Sequence, residues 1–279
     1  MGTATILDGR GLVESPRWHD GRLYFSDWTA GEVIAVDLDG KSEVVAQVKS
    51  LPLCTAWLPE GRLLIISSWD GQLLRLEPDG SLTTYADLGR PGWNDIVADG
   101  RGNAYINRAG FNPMTGEPFA PGFVHLVTPD GTVTEVADEI AFPNGMAVTP
   151  DNGTLIVADS YGHQLVAFSI AADGSLSGRR VWADLGEGTP DGICIDAEDA
   201  VWYADVPNQR AVRVSEGGEV RQVIELDRGG FACALGGPDG KTLFTVAARW
   251  HSMTGAEPVE PGSGVVLATP VEVPGAGWP

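Results

Sequence analysis

Hydrophobic positions in this chain come in short clusters separated by polar turn residues, and no stretch sustains the 3.6-residue period of an amphipathic helix. Runs rich in Val, Ile, Leu, Tyr and Trp are interrupted by pairs such as Asp39-Gly40, Asp79-Gly80, Asp130-Gly131 and Asp239-Gly240. Gly supplies the positive φ of tight turns and Asp bonds the local backbone, so each run predicts a short strand and each pair a reversal.

The clusters repeat. One unit reads ESPRWHDGRLYFSDWTAGEVIAVDLDGKSEVVAQV from Glu14, and the next reads CTAWLPEGRLLIISSWDGQLLRLEPDGSLTTYADL from Cys54. Further units begin near Asn94, Asn144, Asp191 and Cys233. Each has a short apolar strand, a turn, a stronger strand, a loop, then a third and a fourth strand. Such a repeat, every ~40–50 residues, is the signature of a propeller blade. The spacing predicts an all-β, six-bladed β-propeller of four-stranded antiparallel blades, filling residues 1–279 as one domain. A β-sandwich also has short strands at regular spacing, but units of this length fit it poorly. The sixth unit, ending in VVLATPVEV, lacks a full fourth strand, and TATILDG at residues 3–9 has no blade of its own. The N-terminal strand is therefore expected to complete the sixth blade and close the ring.

Composition narrows the function. With 38 acidic against 18 basic residues the formal charge is −20, a surface that repels phosphate backbones and argues against a nucleic-acid partner. Cys54, Cys194 and Cys233 are too few and too scattered for a disulfide framework or a zinc knot, and are expected as small buried apolar residues. No basic-then-apolar leader and no membrane-length apolar run is present. A cytoplasmic protein without membrane attachment, a monomer or weak homo-oligomer, is the expectation.

Topology then gives the polar residues a meaning. In an up-and-down blade the innermost strand starts at one face of the ring, so the residues that begin the six innermost strands converge at one mouth of the central channel. These are Glu14, Cys54, Asn94, Asn144, Asp191 and, approximately, Cys233. An Asn between Pro and Gly is ordinarily a turn former. Glu, Asn, Asn and Asp at one register are another matter, because two carboxylates and two amides held close need a cation among them. All-oxygen ligands suit Ca²⁺ first, then Mg²⁺ or Mn²⁺, and Zn²⁺ less well.

The chain resembles the family of senescence marker protein 30, gluconolactonases and luciferin-regenerating enzyme. The matching motifs are ESPRW (Glu14), NDIVADGRG (Asn94 and Asp95), PNG (Asn144) and PDGICID (Asp191), in that order along essentially the whole chain. The resemblance implies a six-bladed propeller with one divalent metal in its channel, held by Glu14, Asn144 and Asp191, with Asn94 as a fourth ligand or a substrate-binding group. Asp95 is expected to point away from the axis by strand alternation. Sugar lactonases of the family often carry Arg two residues before that Asn; Gly92 stands there, which argues against a sugar-acid lactone.

The implied chemistry is hydrolysis of a small lactone or ester, water adding to a carbonyl polarised by the cation. Asp191 is the candidate to orient or deprotonate that water, or only a ligand. Trp28, Trp69, Arg108, Phe111 and Trp250, together with Asn94, are the candidate substrate-binding residues. With Trp93 they suggest a flat or apolar substrate, and Arg108 could hold a carboxylate or an oxyanion. Long loops, GFNPMTGEPFAPG and WHSMTGAEPVEPG, are expected at the same face. His19 and His125 are expected to be structural; His163 and His251 could shuttle protons at the metal face. No Gly-x-Ser-x-Gly elbow or nucleotide loop is present. Competing readings are a phosphotriesterase-like hydrolase and a non-enzymatic binding propeller with a structural metal.

Overall fold

A computed structural model describes residues 2–252 and 258–277. The long loop of the sixth blade falls partly outside the described residues, at positions 253–257. The described residues form six separate four-stranded antiparallel sheets, each taking its strands in chain order except one. That one is the sixth blade, in which Ala4–Arg10 pairs antiparallel with Gly264–Pro270 as the fourth strand. The chain is thus an all-β six-bladed propeller closed by its N-terminal strand. Its helical content among the described residues is one 3₁₀ turn, Pro113–Thr115, and none of these residues forms a helix long and apolar enough to cross a membrane.

Strand burial follows position in the blade. Second strands are enclosed between neighbouring blades: all five residues of Leu63–Ser67 and of Val201–Asp205 are buried. Fourth strands bury at most two residues each: Leu82–Asp87 buries one and Ala4–Arg10 none. Between blades the apolar faces interlock. Trp93, at 0% exposure, packs with Leu64, Ile66, Ile96 and Ile106, and its indole N–H donates to Arg90 O at 2.7 Å. Burying such side chains, at about 1.5–3 kcal/mol each, fastens one blade to the next. Trp93 is therefore core and not part of the channel mouth, a correction to its sequence reading.

The first strands carry the features that build a site. In blades 1, 4, 5 and 6 the pairing with the second strand is interrupted by a bulge between Glu14 and Arg17, Pro143 and Met146, Pro190 and Ile193, and Gly230 and Ala232. A bulge re-aims the side chain it contains, and these contain or flank Glu14, Asn144, Asp191 and Phe231. The glycines after Asn144 and Asp191 serve close packing. A Cβ on Gly145 would stand 2.5 Å from Asp191 O, and one on Gly192 would stand 2.2 Å from Ala232 Cβ. Asn-Gly and Asp-Gly thus bring adjacent first strands together at the channel. We expect Gly192→Ala to push blades 5 and 6 apart and destabilise the fold by about 1–3 kcal/mol, read as a lowered midpoint in urea unfolding; an unchanged midpoint would contradict the close approach.

Candidate functional site

All nine predicted site residues, Glu14, Trp28, Trp69, Asn94, Arg108, Phe111, Asn144, Asp191 and Trp250, line one cavity of about 690 Å³. This is the size of a small-molecule site. Beneath it a space of about 10 Å³, room for about one water-sized particle, is bordered by Glu14, Asn94, Asp95 and Asn144.

The four oxygen-bearing residues are held by a polar scaffold. Asn94 Nδ2 donates to Asn144 Oδ1 at 3.3 Å, and Asn144 Nδ2 donates to Ser160 Oγ at 3.3 Å. Ser160 in turn donates to Pro190 O at 2.6 Å, linking blade 4 to the residue before Asp191. Buried Asn107 donates to Asn144 O and accepts from the Asp95 N–H at 3.3 Å. Glu14 accepts the Ser15 N–H at 2.7 Å; Ser15 itself sits at φ 54°, a left-handed conformation that is strained for a residue other than Gly. Ser15 Oγ accepts from Thr55 N at 2.9 Å, tying blade 1 to blade 2.

Charge is concentrated here. Burial, then the neighbouring Asp95 carboxylate, pushes the Glu14 carboxyl up to about 8. Burial, then Glu14 and Asp95, holds the Asp191 carboxyl well above the usual range, against a hydrogen bond from Asn144. Burial also raises Asp95, opposed by Arg17, whose Nη2 lies 3.6 Å from Oδ1. One guanidinium, that of Arg17, acts on the two buried carboxyls, Glu14 and Asp95, while the third, Asp191, is half-buried. Glu14, Asn94, Asn144 and Asp191 are the side chains that could hold a cation, and they offer it oxygen alone.

Several sequence readings need correction. Asp95 lies just before its strand (Ile96–Ala98), so alternation does not govern it; it borders the lower space and accepts the Met146 N–H at 3.1 Å across blades. Cys233 lies 3.8 Å, sulfur to sulfur, from Cys194, three residues past Asp191, and the cavity position in blade 6 belongs to Phe231. Cys54 borders only the lower space. Cys194 is partly exposed, whereas Cys54 and Cys233 are buried as expected. His19 ends a strand and stacks on Trp57 with ring centroids 3.7 Å apart, away from the cavity. His163 bonds Gly188 O at 2.9 Å and, like His251, does not line the cavity.

Sequence reading missed Phe142, Ser160 and Phe231 in the wall. Phe142 stacks on Tyr161 at 4.7 Å, Phe111 meets Phe142 at 5.9 Å, and Phe231 meets Trp250 at 5.8 Å. The one available signal was position: Phe142 precedes the PNG motif, and Ser160 follows a second strand. Trp28 donates its indole N–H to Leu53 O at 2.6 Å, so its own polar group is satisfied within the protein. The mouth is also braced by recurrent buried acids at second-strand ends. Asp27 accepts the Gly11 N–H at 3.1 Å and Asp159 the Phe142 N–H at 2.9 Å, pinning the chain that enters each first strand.

Comparison with known proteins agrees with this architecture. A regucalcin of Xenopus laevis is 30% identical over 251 residues, covering 85% of this chain and 83% of that protein. A 6-deoxy-6-sulfogluconolactonase of Pseudomonas putida is 30% identical over 148 residues, 52% of this chain and 51% of that protein, so the match spans about half the length of that relative. Among solved structures, a luciferin-regenerating enzyme superposes with a TM-score of 0.82 at 21% identity, covering 98% of this chain and 96% of that one. Residues 12–249 match the family described as SMP-30/Gluconolactonase/LRE-like region, and the chain belongs to that family.

Proposed function

We propose that this chain is a lactonase-type hydrolase that opens a cyclic ester and depends on a divalent cation, Ca²⁺ before Mg²⁺, Mn²⁺ or Zn²⁺. The observation that carries the reading is the convergence of Glu14, Asn94, Asn144 and Asp191 on one cavity of about 690 Å³, where the buried Glu14 and Asp95 carboxyls share Arg17 and the half-buried Asp191 carboxyl has no arginine acting on it. Uncompensated buried carboxylates are costly, and an all-oxygen donor set fits a hard cation. Lactonase among the names of its relatives supports the reaction class, and regucalcin among them is compatible with Ca²⁺.

When bound, the cation supplies Lewis acidity that polarises a carbonyl and stabilises charge developing on its oxygen. Glu14 and Asp191 contribute the negative charge that holds it, while Asn94 and Asn144 contribute neutral oxygens, Asn144 fixed from behind by Ser160 and Asn107. Asp191, half-buried at the cavity floor, orients a water or takes its proton as the water adds to the carbonyl. Trp28, Trp69, Phe111 and Trp250 enclose the rest of the substrate and exclude bulk water. The partner is thus a small molecule. Three free thiols suit the cytoplasm as its location.

The test is hydrolysis of a sugar-acid lactone, an alkyl γ-lactone, dihydrocoumarin and a phosphotriester by protein stripped with chelator and refilled with each metal. Lactone turnover lost on stripping and restored by Ca²⁺, Mg²⁺ or Mn²⁺ is expected. Tight metal binding without turnover of any ester would favour a binding propeller, and preference for the phosphotriester would move the reading to that bond.

A further inference from the structure

Arg108 ends the second strand of blade 3 (Ala104–Arg108), and its side chain lines the cavity. Its guanidinium is steered by backbone: Nη1 donates to Pro91 O at 2.8 Å and Nε to Ala109 O at 3.3 Å. Gly92 leaves the room, since a Cβ there would stand 3.3 Å from Nε and 3.4 Å from Cζ. Several other arginines meet acids: Arg210 with Asp205 at 3.0 Å, Arg213 with Asp196 at 2.6 Å, Arg10 with Glu32 at 3.2 Å. Among the described residues Arg108 forms no ion pair. Glu117, which also lines the cavity, commits Oε2 to the Asn112 N–H at 2.8 Å. Burial, then the positive charge of Arg90, acts against the Arg108 charge, and the Glu117 carboxylate acts in its favour without pairing with it. In a chain of net charge −20, a half-buried guanidinium held by carbonyls and, among the described residues, without an ion-paired acid is a placed anion receptor.

The remaining wall is flat and apolar. Trp28, Trp69, Phe111, Phe142, Phe231 and Trp250 face the space with aromatic surface and few hydrogen-bonding groups. A ring bearing a hydroxyl on most carbons would bury several of them there unpaired. We infer that the substrate is a lactone with an aromatic or alkyl body and an anionic substituent, a carboxylate, that pairs with Arg108. This rests on the hydrolase reading and names its substrate class.

The experiment measures kcat/KM for dihydrocoumarin, a carboxylated dihydrocoumarin and glucono-lactone, with calorimetric binding of 3-phenylpropionate as a readout independent of turnover. The carboxylated lactone is expected to exceed the neutral one by about tenfold or more, chiefly through KM. That ratio should fall towards one in Arg108→Gln, fall below one in Arg108→Glu and survive in part in Arg108→Lys. A ratio near one in the unmodified protein, a ratio untouched by Arg108→Gln, or glucono-lactone as the best substrate overturns the inference while leaving a lactonase. If no lactone is hydrolysed yet 3-phenylpropionate binds and Arg108→Gln abolishes that binding, the hydrolase reading falls and the anion site stands. Failure of both turnover and binding removes both.

Discussion

Asp191→Asn should yield a folded propeller whose lactone turnover is reduced by about a thousandfold or more and whose melting temperature no longer rises on adding a divalent cation. The substitution keeps shape and an oxygen but removes one of the two carboxylate charges at the channel mouth. Burial, then the Glu14 and Asp95 carboxylates, raises the Asp191 carboxyl, so neutralising Asp191 relieves repulsion in the cation-free protein. Its metal-free melting temperature should accordingly match or exceed that of the unmodified chain. Asn144→Ala should also lose turnover and cation response, since it deletes the oxygen that Asn94 and Ser160 position. Retention of full turnover by both variants would falsify the assignment of this site.

Cation-free protein should lose stability as pH rises from about 6.5 to about 8, by several kcal/mol at most, or about 5–10 °C in melting temperature for a chain of this size. The folded chain holds the Glu14 proton up to about 8, against an ordinary value of 4.5, so it binds that proton more tightly than the unfolded chain does. Stability from this group is fully present below 4.5 and is lost as pH climbs through about 8; Asp95 and Asp191 are raised too and act with the same sign. Turn acids such as Asp79 and Asp130, lowered by hydroxyl hydrogen bonds, lose their contribution only below the ordinary carboxylate range. His125, lowered by burial, acts in the opposite sense and below 6.5. Melting in chelator between these limits therefore reads the channel carboxyls, and added Ca²⁺ should restore most stability at the upper one. A flat profile that Ca²⁺ does not alter would remove the case for a cation site.

Wall residues tell a different story from ligands. Glu14, Asn94, Asn144 and Asp191 were found because each opens a repeat unit, and a repeat places its equivalent residues at one mouth of the ring. Trp28, Trp69, Arg108, Phe111 and Trp250 were legible from the same topology, as residues at second-strand ends or in the loops beyond them. Phe231 was not, because the bulge between Gly230 and Ala232 offsets its strand from the turn that anchors the alignment. Trp93 looked like a mouth residue by its place beside Asn94, yet it turns into the gap between blades 2 and 3.

Period, turn chemistry and alternation are local properties, so the sequence alone determined the all-β class, six blades, closure by residues 3–9 and the face at which the oxygen donors gather. Distances between residues forty or more positions apart are not local. Only the tertiary structure decided that Gly145 and Gly192 let first strands touch, that Asp95 and Glu14 border one space, and that Arg108 faces the cavity without an ion pair among the described residues. Those outcomes depend on how closely one blade packs on the next, which bulges and interblade packing set and no single repeat contains.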